Sequence, residues 1–153
     1  MKEDQLNHNR MRRYRQRLLV AAIVGSLTTS NGTESTGGES STELTTSVKE
    51  YQLTPNTWTV PAGEQVTITI INEGTLKHEW VLLQEGATIT SEDDLPDSEE
   101  ELEENFVDVE EEVEPGETKT LTFQAPPAGT YQVICAIAGH FNNGSEGTLT
   151  STG

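Results

Sequence analysis

Three residues of this sequence carry side chains that bind soft or borderline metal ions, and their spacing is informative. Cys135, the only cysteine, and His140 lie five positions apart in the stretch CAIAGHFNNGS, and His78 opens the apolar run HEWVLL. A thiolate with two imidazoles is the trigonal ligand set of a mononuclear blue-copper centre. The same donors with a water molecule would also suit zinc. A catalytic cysteine–histidine pair is the other alternative, but no orienting group or activating helix N-terminus is evident beside Cys135.

The elements that must position these residues are predicted to be β-strands, because apolar residues alternate with a period of two. In EQVTITIIN, valine and isoleucine alternate with threonine, and residues 117–125 follow the same pattern. Many short strands separated by turn residues such as Pro61, with no long helix, indicate an antiparallel β-sandwich. The strands that carry His78 and Cys135 can then bring those two residues together at one pole.

A strongly acidic segment interrupts the strand pattern. Residues 92–117 contain 15 acidic residues and no basic one. We interpret about 85–116 as an insertion that forms a solvated loop with a short helix, since Ser98 and Glu101 fit a capping box. The acidic residues lack the spacing of an EF-hand calcium loop.

The N-terminal region has the opposite charge. Residues 1–17 carry six basic residues and two acidic ones, and an apolar run follows that is shorter than the ~20 residues needed to span a bilayer. In LTTS, Ser30 stands where a bacterial lipoprotein would have its lipidated cysteine, so membrane anchoring stays open. The predicted organisation is a signal peptide or membrane-targeting segment over 1–30, a flexible linker over 31–47 and one folded domain over 48–153.

The charge of the remaining chain limits its partners. Residues 31–153 contain 24 acidic residues and three lysines, so no basic patch is available to meet nucleic-acid phosphates. The acidic surface favours a basic protein partner or a salty habitat. One cysteine cannot form an intramolecular disulfide, so a thiol in an exported protein needs another role.

Two long stretches together resemble the cupredoxin family. YQLTPNTWTVPAGEQVTITIINEGTLKHEWVLL is similar to that family's opening half, with a Pro-Ala-Gly turn and Asn-x-Gly before the first histidine. PAGTYQVICAIAGHFNNGSEGTL is similar to its closing half, and the resemblance covers about residues 48–152 apart from the insertion. It implies a Greek-key β-sandwich of seven to eight strands, with one copper ion bound by His78, Cys135 and His140.

One position departs from the family pattern, because its axial methionine falls on Ser145. The resemblance leaves three arrangements: no axial side chain, the backbone carbonyl of Lys77, or Glu146 turned inward. We favour the first, since Glu146 opens a predicted strand and can face water. Loss of a weak axial donor favours Cu(I) and raises the reduction potential.

The resemblance implies a mononuclear copper protein that carries single electrons between redox protein partners, works as a monomer and is not an enzyme. The alternatives are copper storage, delivery or sensing, and a metal-free β-sandwich displayed on the cell surface. The basic N-terminal segment predicts export to the periplasm or the extracytoplasmic cell surface, with tethering to the membrane through the N-terminus as an open variant of this prediction.

Overall fold

The computed structural model describes residues 39–153, in which nine strands form two sheets. One sheet has the order β2-β1-β4-β7 and the other has the order β3-β9-β8-β5-β6. The strands are β1 (Glu43–Lys49), β2 (Gln52–Thr54), β3 (Thr57–Pro61), β4 (Gln65–Asn72), β5 (His78–Leu83), β6 (Val107–Val113), β7 (Thr118–Gln124), β8 (Gly129–Ile134) and β9 (Glu146–Thr152). Helix α1 spans Glu99–Asn105, and two single turns of 3-10 helix span Glu92–Asp94 and Phe141–Asn143.

The predicted β-sandwich is confirmed, and its sheets are mixed rather than purely antiparallel. β1 pairs with β4 in parallel, and β3 pairs with β9 in parallel, while the other pairs are antiparallel. The alternation of apolar and polar residues shows which face of a strand is buried, but it does not determine the direction of the neighbouring strand.

The main core lies between the sheets and follows the period-two pattern. Val66, Ile68 and Ile70 of β4 are fully buried, and each such side chain contributes about 1.5–3 kcal/mol relative to an exposed position. Trp58 and Trp80 meet edge to face in this core with ring centroids 5.8 Å apart. The core thus fixes β3, β4 and β5 relative to one another.

The predicted linker is wrong at its end, because residues 43–47 belong to the domain. They form most of β1, in which Leu44 and Thr46 are buried. The threonine hydroxyl donates a hydrogen bond to the carbonyl of Pro55 at 2.9 Å, so a polar residue enters the core without an unsatisfied group. The signal segment over 1–30, and the linker up to residue 38, lie outside the described residues.

The acidic insertion contains more regular structure than a solvated loop. The helix predicted there is α1, and Ser98 caps it by accepting a hydrogen bond from the Glu101 N–H at 3.2 Å. The following residues form β6, an edge strand paired with β5. Acidic residues along an edge strand oppose pairing with another chain, which reconciles the high charge with a strand.

A second apolar cluster joins the insertion to the sandwich. Its buried members come from β5, β6, β8, α1 and the segment before α1: Val81, Leu83, Ile89, Leu102, Val107 and Ile134. Phe106 and Phe141 are partly buried and pack against this cluster. Within residues 39–153, no helix has both the length and the apolar character needed to cross a membrane.

Candidate metal centre

Neighbouring strands bring His78 and Cys135 to the same end of one sheet. His78 is the first residue of β5, and Cys135 directly follows the last residue of β8. β5 and β8 are antiparallel, with Val81 opposite Ile134, so the start of one strand lies beside the end of the other. His78 and Cys135 thus meet at one pole of the sandwich, as the predicted strands allow.

The loop from β8 to β9 folds His140 back onto that pole. The His140 N–H bonds the Ile137 carbonyl at 3.0 Å, and the Ser145 N–H bonds the His140 carbonyl at 3.1 Å. The Cys135 N–H in turn bonds the Ser145 carbonyl at 3.0 Å, which closes the loop at its base. The eleven-residue loop is therefore held by its own backbone bonds, which keep His140 near Cys135.

Three donor atoms converge in this arrangement. The ligand atoms of His78, Cys135 and His140 all lie within 4.8 Å of one another. His140 Nδ1 is 3.3 Å from His78 Nδ1 and 3.4 Å from Cys135 Sγ. All three residues are buried, with at most 7% of the surface exposed. Among the described residues, they form the one group of histidine, cysteine and acidic side chains arranged to hold a metal ion.

Burial sets the protonation of these groups. It lowers the pKa of His78 to about 4, with the neighbouring His140 adding to the effect, and it lowers the pKa of His140, opposed by Glu92. Burial also raises the pKa of Cys135 to about 11, although the backbone N–H groups of Glu79 and Ile137 oppose the rise. Both imidazoles are thus neutral donors at neutral pH, while the thiolate requires a cation beside it.

The donor set fits copper on chemical grounds. Thiolate and imidazole are the donors of trigonal copper sites, and this buried cluster offers one thiolate and two imidazoles. The Glu79 N–H points at Cys135 Sγ at a distance of 3.4 Å, which orients the sulfur before any ion arrives. His78 Nε2 is buried without a hydrogen-bond partner, so the favourable contacts of this ring lie on its Nδ1 side.

The three positions considered for an axial ligand differ in their surroundings. Ser145 is buried, and its hydroxyl donates a hydrogen bond to the Tyr51 carbonyl at 3.0 Å. Glu146 is exposed and is not part of the three-residue group. Lys77 directly precedes β5, and its ammonium group forms an ion pair with Glu112 at 2.6 Å. The axial assignment stays a prediction.

Asn72 and Tyr51 also support the site, and neither was predicted to do so. Asn72 ends β4 and bonds the loop that leads to His78, through the carbonyl of Leu76 at 2.7 Å. The signal for it was present in the Asn-x-Gly motif. Tyr51 packs its ring edge-on to the His140 ring, with centroids 5.2 Å apart. No sequence pattern predicted that contact, since it joins the β1–β2 turn to a loop about 90 residues later.

Comparisons with known proteins agree with this geometry. A family model described as a cupredoxin-like domain matches residues 18–150. Auracyanin-B of Chloroflexus aurantiacus is 30% identical in an alignment 109 residues long, which covers 61% of this chain and 44% of that protein. The chain therefore spans less than half the length of this curated relative.

Two solved structures share the fold. Na-dithionite-reduced auracyanin from Roseiflexus castenholzii has 25% identity and a TM-score of 0.63, over 75% of this chain and 100% of that one. Auracyanin A of Chloroflexus aurantiacus, described as a "blue" copper protein, has 26% identity and a TM-score of 0.54, over 72% of this chain and 99% of that one. The β-sandwich of this chain is thus similar to that of solved auracyanin structures.

Proposed function

This chain belongs to the cupredoxin-like family, and we propose from that membership and from the site that it carries single electrons between redox partners rather than acting as an enzyme. One copper ion would be held by Nδ1 of His78, Sγ of Cys135 and Nδ1 of His140. The observation that carries the proposal is the convergence of these three buried donors within 4.8 Å. Copper, when bound, supplies one-electron cycling between Cu(I) and Cu(II).

The chain's contribution is a dry, pre-arranged ligand set. β5 and β8 belong to the hydrogen-bonded sheet, so His78 and Cys135 stand on rigid elements. The Glu79 N–H holds the sulfur, and the backbone bonds at Ser145 hold the loop of His140. Such pre-organisation keeps the donors in place in both oxidation states, so little rearrangement accompanies each electron.

The ligand set we propose has no axial side chain. Ser145 offers only a neutral hydroxyl, a poor ligand for copper, and the bond to the Tyr51 carbonyl at 3.0 Å anchors this short side chain on the β1–β2 turn. The exposed Glu146 would have to leave water and bury its charge. Without a weak axial donor, the site favours Cu(I), which predicts a higher potential than that of the same site with methionine.

The proposal extends to location and partners. The basic segment and apolar run in residues 1–30 support export, to the periplasm or the outer face of the membrane. The acidic surface of the domain supports redox partners with basic docking faces, because opposite charges speed the encounter. We propose that the folded unit begins near residue 43 and works as a monomer.

The test is a titration of the purified domain with Cu(II), followed by visible and EPR spectroscopy. We expect an intense thiolate-to-copper band that saturates at one equivalent and is lost in Cys135→Ala. Ser47→Ala serves as the control, since it changes an exposed hydroxyl on β1. Absence of the band in the wild-type protein, with circular dichroism showing a folded domain, would overturn the copper proposal.

A second measurement separates an electron carrier from a protein that stores or delivers copper. Cyclic voltammetry should give a reversible one-electron wave, and the bound ion should resist removal by a chelator. A loaded protein that releases copper readily and shows no reversible wave would refute the electron-carrier role, while leaving copper binding intact.

A further inference from the structure

The 3-10 turn Phe141–Asn143, which directly follows His140, is capped from a distant part of the chain. His140 occupies the N-cap position of this turn, but its side chain forms no capping hydrogen bond. Instead, Glu92 accepts two hydrogen bonds from Asn142: its Oε2 from the side-chain amide at 3.2 Å, and its Oε1 from the backbone N–H at 3.5 Å. A carboxylate 50 residues earlier thus satisfies a donor that the turn leaves open.

Glu92 is itself held in a rigid turn. The Asp94 carboxylate accepts hydrogen bonds from the Thr90 N–H, the Thr90 hydroxyl and the Ser91 N–H, at 2.6–3.0 Å. Ser91 and Asp94 also form a capping box around the 3-10 turn Glu92–Asp94. Because both ends of this turn are tied, the position of Glu92 is set by its own segment rather than by Asn142.

The same segment is fastened to the strand that leads to the cysteine. Gln132 of β8 bonds both backbone groups of Ile89, accepting from its N–H at 2.8 Å and donating to its carbonyl at 2.9 Å. Ile89 is buried in the second apolar cluster, against which Leu95 and Phe141 pack. The insertion therefore contacts the ligand loop through apolar packing and through the Glu92 carboxylate.

The charge of Glu92 also reaches the site. Its carboxylate is hydrogen-bonded to Asn142, two residues after the proposed ligand His140. A negative charge held at that point favours additional positive charge at the donor cluster. The interior transmits such an interaction better than water does, because its effective dielectric constant is lower.

We propose that Glu92 is a positioning residue for the copper centre. It fixes the ligand loop through Asn142, and its negative charge favours the oxidised, more positive state of the centre. The effect on the oxidised state rests on the function proposed above. The fixing of the loop does not, since its contacts exist without a metal ion. The acidic insertion is on this view part of the site's support as well as an acidic surface.

Three variants separate the two effects. Glu92→Gln removes the charge and keeps one of the two accepting oxygens, which can face the Asn142 N–H, while Glu92→Ala removes the charge and both oxygens. Asp93→Asn is the matched control, because it removes the same charge from the adjacent, exposed position. In the metal-free protein, we expect amide hydrogen exchange at Asn142 to be about fivefold faster in Glu92→Ala, the effect of losing about 1 kcal/mol, and nearly unchanged in the other two variants.

The copper-loaded variants are compared by their midpoint potentials. We expect the potential to rise in both Glu92 variants, by more than in Asp93→Asn. Equal shifts in Glu92→Gln and Asp93→Asn would reduce the charge effect to general surface electrostatics and overturn that half. Unchanged amide hydrogen exchange at Asn142 in Glu92→Ala would refute the proposal that Glu92 fixes the ligand loop. If the wild-type protein forms no thiolate–copper band, the proposed effect of the Glu92 charge fails together with the proposed function. Amide hydrogen exchange at Asn142 still decides whether Glu92 fixes the ligand loop.

Discussion

Replacement of Asn72 by alanine should destabilise the domain at the loop that presents His78. The side chain is 1% exposed and makes three hydrogen bonds. It donates to the carbonyls of Leu76 at 2.7 Å and Val113 at 3.1 Å, and it accepts from the Gly74 N–H at 3.0 Å. One amide therefore joins the end of β4, the end of β6 and the loop between β4 and β5.

The size of the effect follows from these bonds. Each contributes about 1 kcal/mol net, and alanine leaves the buried Val113 carbonyl without this donor. We expect the metal-free domain to lose about 3 kcal/mol in its free energy of unfolding. For a domain of this size, that corresponds to a melting temperature lower by roughly 10 °C.

The assay is urea unfolding of the metal-free protein, with Thr75→Ala as the control. Thr75 lies in the same loop and is exposed, so we expect its replacement to change the free energy by less than about 0.5 kcal/mol. The dependence on urea concentration should keep its slope, because the surface exposed on unfolding is unchanged. A loss below about 1 kcal/mol for Asn72→Ala, or an equal loss in both variants, would refute the reasoning.

Two further predictions concern Ser145 and Tyr131. Ser145→Met offers a thioether in the axial position, so we expect a lower midpoint potential than in Ser145→Ala, and equal potentials would contradict an axial role for this position. The buried Tyr131 phenol donates to the Pro127 carbonyl at 2.8 Å, and burial raises its pKa. Its stabilising effect is complete below the unfolded pKa near 10 and is lost as pH rises through the folded value. Urea unfolding at pH 9 and 11 should therefore show a smaller alkaline loss in Tyr131→Phe than in the wild type, and equal losses would count against this assignment.

The sandwich could be predicted from local patterns of apolar and polar residues, and the meeting of the donor residues from the resemblance of two stretches to one family. Alternation in β4 identifies its buried face, since side chains of a strand point to opposite sides in turn. His78 begins one apolar strand and Cys135 directly follows another, so any sandwich that pairs those strands in an antiparallel manner brings the two residues together.

The supporting contacts could not be predicted, because they join segments far apart in the chain. β6 was hidden by its run of acidic residues, which have low strand propensity yet suit an exposed edge. Leu44 was a single apolar residue in a polar stretch, and its burial depends on the parallel neighbour β4. The bonds between Glu92 and Asn142 depend on how the insertion folds, which neither segment determines by itself.

Ser145 shows how an interpretation from a family pattern changes once the partners of a side chain are known. In the sequence, it stands where a methionine donor is expected. In the structure, it ties the ligand loop to the β1–β2 turn, through its bond to the carbonyl of Tyr51. The Tyr51 ring then lies against the His140 ring, so the serine indirectly supports one of the proposed equatorial ligands. This support of His140 agrees with the ligand set proposed above, in which the equatorial donors hold the metal without an axial side chain. Ser145→Ala should on this argument loosen the contact between Tyr51 and His140 while leaving the thiolate–copper band in place.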